Sequence, residues 1–122
     1  MTSLRRLLPA VAFLAWLAGC NSGSGLPAVS GPLAAKLEVS ATEMRYSPSR
    51  IAVGAGEVPV VLRNDGAVIH DLRIEDKPSL LLEAAPAQTS TATWSLGKGR
   101  YRIYCSLPGH RSAGMEGVVE VR

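Results

Sequence analysis

Tyr101-Arg102-Ile103-Tyr104-Cys105-Ser106-Leu107-Pro108-Gly109-His110-Arg111-Ser112-Ala113-Gly114-Met115 changes character part-way along. Tyr101, Ile103 and Cys105 alternate with Arg102 and Tyr104, which is the period of a strand with one buried face. From Ser106 onward, Pro108, Gly109 and Gly114 interrupt that period and mark a loop. A strand therefore delivers a cysteine to a loop that carries a histidine and a methionine. Four residues separate Cys105 from His110, and four separate His110 from Met115.

The same period of two recurs on both sides of this segment. Leu37 and Val39 alternate with Glu38 and Ser40. Ile51 and Val53 follow Ser47-Pro48, and Gly54-Ala55-Gly56 turns the chain before Val58, Val60 and Leu62. Asn64-Asp65-Gly66 is a strong turn signal, after which Ile69 to Glu75 reads as a strand. Thr89 to Leu96 is rich in strand-forming residues, Gly97-Lys98-Gly99 turns, and Val118 to Val121 closes the chain. Leu80 to Ala85 shows no clean period and is expected to form a short helix or an irregular excursion. Seven or eight short strands with little helix predict an all-β sandwich.

The 122 residues leave room for one domain, and an apolar fraction of 47% suffices for a packed core. The N-terminus reads as a secretory signal, because Arg5 and Arg6 precede an apolar run, Leu7 to Ala18, too short to span a bilayer. That run ends in Leu17-Ala18-Gly19-Cys20, which resembles a bacterial lipobox. An ordinary cleaved signal does not require a terminal cysteine, whereas here basic flank, short apolar core and cysteine occur in lipobox order. Residues 1–19 are thus expected to be a lipoprotein signal peptide and Cys20 the lipidated residue, anchoring an exported protein to a bacterial membrane, facing periplasm or cell exterior. Asn21 to Ala35, rich in Gly, Ser and Pro, reads as a flexible tether with a reach of roughly 20 Å. Residues 36–122 form the domain.

The formal charge of +3 includes Arg5 and Arg6; without them 11 Lys and Arg face 10 Asp and Glu. The mature protein is nearly neutral, and no basic block interleaved with aromatics points to nucleic acid.

With Cys20 consumed by lipid, Cys105 is left without a partner. From composition alone it fits either a buried core thiol or a metal ligand. The neighbourhood of His110 and Met115 adds what composition lacks. Thiolate and imidazole in a trigonal set with a weak axial thioether is the ligand chemistry of blue-copper electron-transfer sites. The other imidazole has one source, His70, which follows the Asn64-Asp65-Gly66 turn. One copper ion, cycling between Cu(II) and Cu(I), is the expected cofactor, with His70, Cys105, His110 and Met115 as its ligands.

From residue 36 onward the sequence resembles the cupredoxin family. Tyr46-Ser47-Pro48-Ser49-Arg50-Ile51-Ala52-Val53 followed by Gly56 is similar to that family's early strand motif, where Phe is more usual at the first position. Tyr101, Ile103 and Cys105 match the aromatic-x-apolar-x-Cys strand, and Gly117-Val118-Val119-Glu120-Val121 matches the closing strand. The Cys105–Met115 spacing is similar to that of the auracyanin, rusticyanin and sulfocyanin type. The resemblance implies a Greek-key sandwich and an electron carrier that is not an enzyme. It implies that His110 exposes its ring edge through an apolar patch formed by Leu107, Pro108, Ala113 and Gly114, extended by Gly66, Ala67 and Val68. Its partners would be redox proteins such as cytochromes or membrane oxidoreductase complexes, met by a monomer in brief encounters. Arg111 beside the patch reads either as a bias toward acidic partners or as a solvated loop charge. One departure stands out: Asp71 follows His70 where many cupredoxins have Asn. Asp71 can accept a bond from Ser106 but cannot donate one as an amide would. Its negative charge is expected to favour the oxidised metal.

Competing activities are limited by the histidine count. His70 and His110 are the only two, so a multicopper enzyme lacks ligands for a second centre. A binuclear copper centre would need two cysteines in the ligand loop, and a Ser-His-Asp site would need an uncommitted histidine. Copper delivery or storage remains an alternative to electron transfer; such sites usually rely on exposed, exchangeable ligands rather than a rigid sandwich. A metal-free interaction module would leave the complete ligand set without a purpose.

Overall fold

A computed structural model describes residues 25–122, so the signal segment and Cys20 lie outside the described residues. The described chain is built from nine strands: β1 (Leu37–Thr42), β2 (Arg45–Ser47), β3 (Arg50–Val53), β4 (Gly56–Asn64), β5 (His70–Ile74), β6 (Lys77–Ala84), β7 (Thr89–Leu96), β8 (Gly99–Tyr104) and β9 (Glu116–Val121). They form two sheets, one in the order β2-β1-β4-β7 and the other β3-β9-β8-β5-β6. β1 runs parallel to β4, and β3 parallel to β9; the other pairs are antiparallel. Such parallel neighbours arise because the chain crosses between sheets rather than winding by hairpins alone.

Alternation decides which face of each strand goes inward. Leu37, Val39 and Ala41 of β1, with Val58, Val60 and Leu62 of β4, face Leu72 and Ile74 of β5, Ile103 of β8, and Val119 and Val121 of β9 across one continuous core. Trp94 and Leu96 extend it beneath β7. The outward residues of β4 and β7, among them Glu57, Arg63, Thr91 and Thr93, are exposed.

Two expectations are corrected. Leu80 to Ala85 is neither helix nor excursion, since Lys77–Ala84 pairs antiparallel with β5 as an edge strand, with a register shift between Arg73 and Ile74. The Leu80-Leu81-Leu82 run hides its period because Leu81 points outward, 42% exposed, while Leu80 and Leu82 pack on the core. Pro78 is tolerated because an edge strand has a side that needs no ladder donor. This strand and the three-residue β2 bring the total to nine.

The second correction concerns the tether. Residues 25–35 lie against the domain: Val29 is buried with Ala52 and Val118, and Leu26 packs beside them. The Val29 amide donates to Glu120 Oε2 at 2.7 Å, Arg100 Nη1 to the Leu26 carbonyl at 3.1 Å, and Arg122 Nη1 to the Gly31 carbonyl at 3.1 Å. Ala34 bridges to Val53. Gly, Ser and Pro composition signals missing periodicity; it does not reveal backbone bonds supplied by arginines 74 and 91 residues away in sequence.

Candidate metal centre

The end of β8 and the end of β5 pair antiparallel in one sheet, Arg73 with Tyr104 and Ile74 with Ile103. Because the two strands are antiparallel, the chain leaving β8 through Cys105 runs back toward His70 at the start of β5, and the Asp71 amide next to His70 meets the Cys105 sulfur. The loop leaving Cys105 then closes on itself. His110 donates its amide to the Leu107 carbonyl and Met115 to the His110 carbonyl, each at 3.1 Å. The Cys105 amide donates to the Met115 carbonyl, also at 3.1 Å, so both ends of the loop are joined.

His70, Cys105 and His110 converge so that one donor atom from each lies within 4.8 Å of the others. Cys105 Sγ and His110 Nδ1 are 3.5 Å apart, and the two imidazole centroids are 5.1 Å apart. Met115 is fully buried at the foot of the same loop, and His110 is half-buried.

The donor set passes a direct test of fit to a metal. His70 is fully buried, yet neither of its ring nitrogens has a hydrogen-bond partner. Buried polar atoms left unpaired are costly and rare in folded proteins. A metal ion among these groups would engage one nitrogen of His70. Burial, then the neighbouring His110, pushes the His70 pKa down, which keeps the imidazole neutral and its lone pair available. Burial pushes the Cys105 thiol up, so in the metal-free protein the sulfur holds its proton more tightly. Soft thiolate and imidazole donors together suit one copper ion.

Asp71 organises the space behind the sulfur. Its amide points at Cys105 Sγ over 3.5 Å, its Oδ1 accepts the Ser106 amide at 2.6 Å, and its Oδ2 accepts the Ser106 hydroxyl at 2.5 Å. Arg73 Nε lies 3.1 Å from the same Oδ2. Burial by itself raises the Asp71 pKa, but the bonds from Ser106 and then Arg73 outweigh it and hold the carboxyl below its ordinary value. The carboxylate thus ties the two ligand-bearing segments together while Arg73 offsets part of its charge.

The site matches the chain's family assignment. The cupredoxin-like domain model aligns with residues 8–119. This chain belongs to the cupredoxin family. Among solved structures, this cupredoxin is similar to dithionite-reduced auracyanin from the photosynthetic bacterium Roseiflexus castenholzii, with 20% identity, a TM-score of 0.66, and coverage of 75% of this chain and 99% of that one. It is also similar to auracyanin A, a blue copper protein from Chloroflexus aurantiacus, at 19% identity, a TM-score of 0.60, and coverage of 71% of this chain and 98% of that one. Auracyanin B aligns at 18% identity with a TM-score of 0.56, covering 77% of this chain and 93% of that one. At these identities the likeness is one of fold. No curated protein matches the chain significantly.

The surface around His110 is mixed in exposure. Pro108, Ala113 and Gly114 are exposed and Leu107 is half-buried, while Ala67, Val68 and Ile69 are exposed on the neighbouring loop. Arg111 is committed elsewhere: its Nη2 meets Glu75 Oε1 at 2.5 Å, its Nε meets Glu116 Oε2 at 3.3 Å, and its guanidinium lies 4.5 Å from the Tyr104 ring centroid. It therefore staples the ligand loop of this cupredoxin to the outer face of its sheet, as a partly exposed but paired charge rather than a free docking one.

Sequence reading treats Asn64 only as a turn residue. In the fold it is buried, its Nδ2 donates to the carbonyls of Val68 and Ala84 at 2.8 Å each, and its Oδ1 accepts the Gly66 amide at 2.9 Å. It holds the segment that leads into His70. Glu43 supports the same segment by accepting the Ala67 amide. The Asn-Asp-Gly signal marks the place but not this role.

Proposed function

We propose that this cupredoxin is a lipid-tethered blue-copper carrier that moves single electrons between redox partners outside the cytoplasm. His70, Cys105 and His110 would hold the copper, with the Met115 thioether as a weaker fourth donor. The observation that carries this reading is the buried His70 with both ring nitrogens unpaired, set beside a buried thiol and a second imidazole. When bound, copper supplies a one-electron change between Cu(II) and Cu(I). The protein's part is to keep the donors in place, so that little rearranges between the two states. The joined loop ends and the Asp71–Ser106 tie serve that end. His110, less buried than His70, is the path to the surface, and the apolar residues around it suit a small, short-lived interface.

Lipidation of Cys20 is part of the proposal. Gly25 and Leu26 lie beside Arg100 and Tyr101, near the start of β8 and away from Cys105 at its other end. Four residues, 21–24, separate Cys20 from this docked segment, at most about 3.6 Å each when extended. That arrangement favours a domain held close to the bilayer with its ligand loops turned outward.

Protein purified from copper-replete cells should show an intense visible band from thiolate-to-Cu(II) charge transfer that bleaches reversibly with reductant, and Cys105→Ala should abolish it. A colourless protein that hands copper to an apo-acceptor would establish copper delivery instead. Cys20→Ser should release the protein from the membrane fraction; continued retention would remove the lipid anchor from the proposal.

A further inference from the structure

Tyr46 heads the fully buried side chains by volume, 1% exposed, and is the only inward residue of β2. Its aromatic body fills the core between the sheets, a task an apolar ring of the same shape would perform equally well. Its hydroxyl is a different matter, since a buried hydroxyl costs free energy unless it is bonded. Here it donates to the main-chain carbonyl of Asp71. Asp71 is the residue whose amide points at Cys105 Sγ and whose carboxylate holds Ser106. A continuous path of bonds therefore runs from β2 in one sheet, through Tyr46 and Asp71, to the cysteine sulfur at the end of β8 in the other.

We propose that Tyr46 is a positioning residue of the copper site, whose hydroxyl fixes the Asp71 backbone so that the Asp71 amide stays aimed at the Cys105 sulfur. This rests on the copper reading above. A hydrogen bond to the sulfur withdraws electron density from the thiolate and so favours reduced over oxidised copper. Without the Tyr46 hydroxyl, the Asp71 carbonyl loses its buried partner, the backbone on both sides of the Asp71 Cα is held less tightly, and the amide-to-sulfur bond lengthens. The reduction potential then falls. The inference concerns geometry, and the phenol keeps its proton throughout.

The test compares copper-loaded full-chain protein with Tyr46→Phe and with Val58→Ala, a core change on β4, in the sheet opposite β5 and β8, where Val58 pairs with Trp94. Three quantities are read: thermal midpoint, midpoint potential, and the deuterium-oxide shift of the copper–sulfur stretch in resonance Raman spectra, which reports the amide-to-sulfur bond. Tyr46→Phe should lower the potential and diminish the deuterium shift, whereas Val58→Ala should lower the thermal midpoint alone. An unchanged potential and deuterium shift in Tyr46→Phe would reduce Tyr46 to core filling and overturn the proposal. Should Tyr46→Phe fail to fold, Tyr46→3-fluorotyrosine keeps the ring shape and strengthens the donor; a raised potential supports the proposal and an unchanged one overturns it. Failure of the copper reading is separately visible, because the wild-type protein would then show no copper–sulfur stretch.

Discussion

Replacing Asn64 with Ala removes three hydrogen bonds and leaves their partners behind. The Ala84 carbonyl is buried, whereas the Val68 carbonyl and the Gly66 amide are partly accessible. A buried partner left unpaired costs about 1–3 kcal/mol, and each bond whose partner can turn to water about 0.5–1.5 kcal/mol. Together these give a destabilisation of roughly 2–6 kcal/mol by the same values. For a domain of about 100 residues, each kcal/mol lowers the thermal midpoint by about 4–8 °C. Asn64→Ala should therefore melt at least about 8 °C below the wild type in copper-free protein. Because Asn64 holds the segment leading into His70, copper affinity should fall as well, and the stabilisation that copper confers on the wild type should shrink. Asn64→Asp is a sharper probe: it retains an acceptor for the Gly66 amide but places acceptor oxygens against the Val68 and Ala84 carbonyls. Thermal unfolding followed by circular dichroism, with and without copper, measures both effects. A thermal midpoint within a few degrees of wild type for both variants would refute the view that Asn64 holds this loop.

Asp71→Asn should raise the midpoint potential, since it removes a negative charge near the metal. At an effective dielectric near 20 the charge is worth about 1–2 kcal/mol, with Arg73 offsetting part of it, so a rise on the order of tens of millivolts is expected by voltammetry; no change would show that Arg73 already cancels the charge. The docking of residues 26–31 should respond to acid. The Val29 amide, then Arg122 and Arg100, hold the Glu120 carboxyl down to about 2. Because that folded value lies below the unfolded one near 4.3, its contribution is fully present above about pH 4.3 and is lost as pH falls toward 2. Hydrogen exchange at Val29 should therefore be protected at pH 5 and lose protection, relative to the core strands, near pH 2, while Glu120→Gln should lose it at every pH. Gly117→Ala should be strongly destabilising, because a β-carbon there would sit 2.3 Å from the Ser49 carbonyl oxygen. Overpacking of this kind costs about 1–3 kcal/mol, and a denaturant midpoint equal to wild type would contradict it.

The sequence by itself determined the strand character of most of the chain, because period-two burial is local and visible in Leu37/Val39, Val58/Val60/Leu62 and Tyr101/Ile103/Cys105. It also narrowed which donors the site can have, since two histidines and the one cysteine of the described domain leave few choices. It did not reveal β6, where three consecutive leucines at a sheet edge erase the alternation, nor the docking of residues 25–35. Those bonds are made by Arg100, Glu120 and Arg122, remote in sequence and brought there by the pairing of β8 with β9. Arg111 illustrates the same limit: its surroundings in sequence show a charge on a loop, and only the folded sheet places Glu75 and Glu116 against it. Of what stands behind the ligands, the Asp71–Ser106 tie was legible in the sequence and the tertiary structure decided the rest. Tyr46, Asn64 and Asp71 act through hydrogen bonds between segments 20 to 35 residues apart, and no local pattern encodes which carbonyl or sulfur a buried polar group will meet.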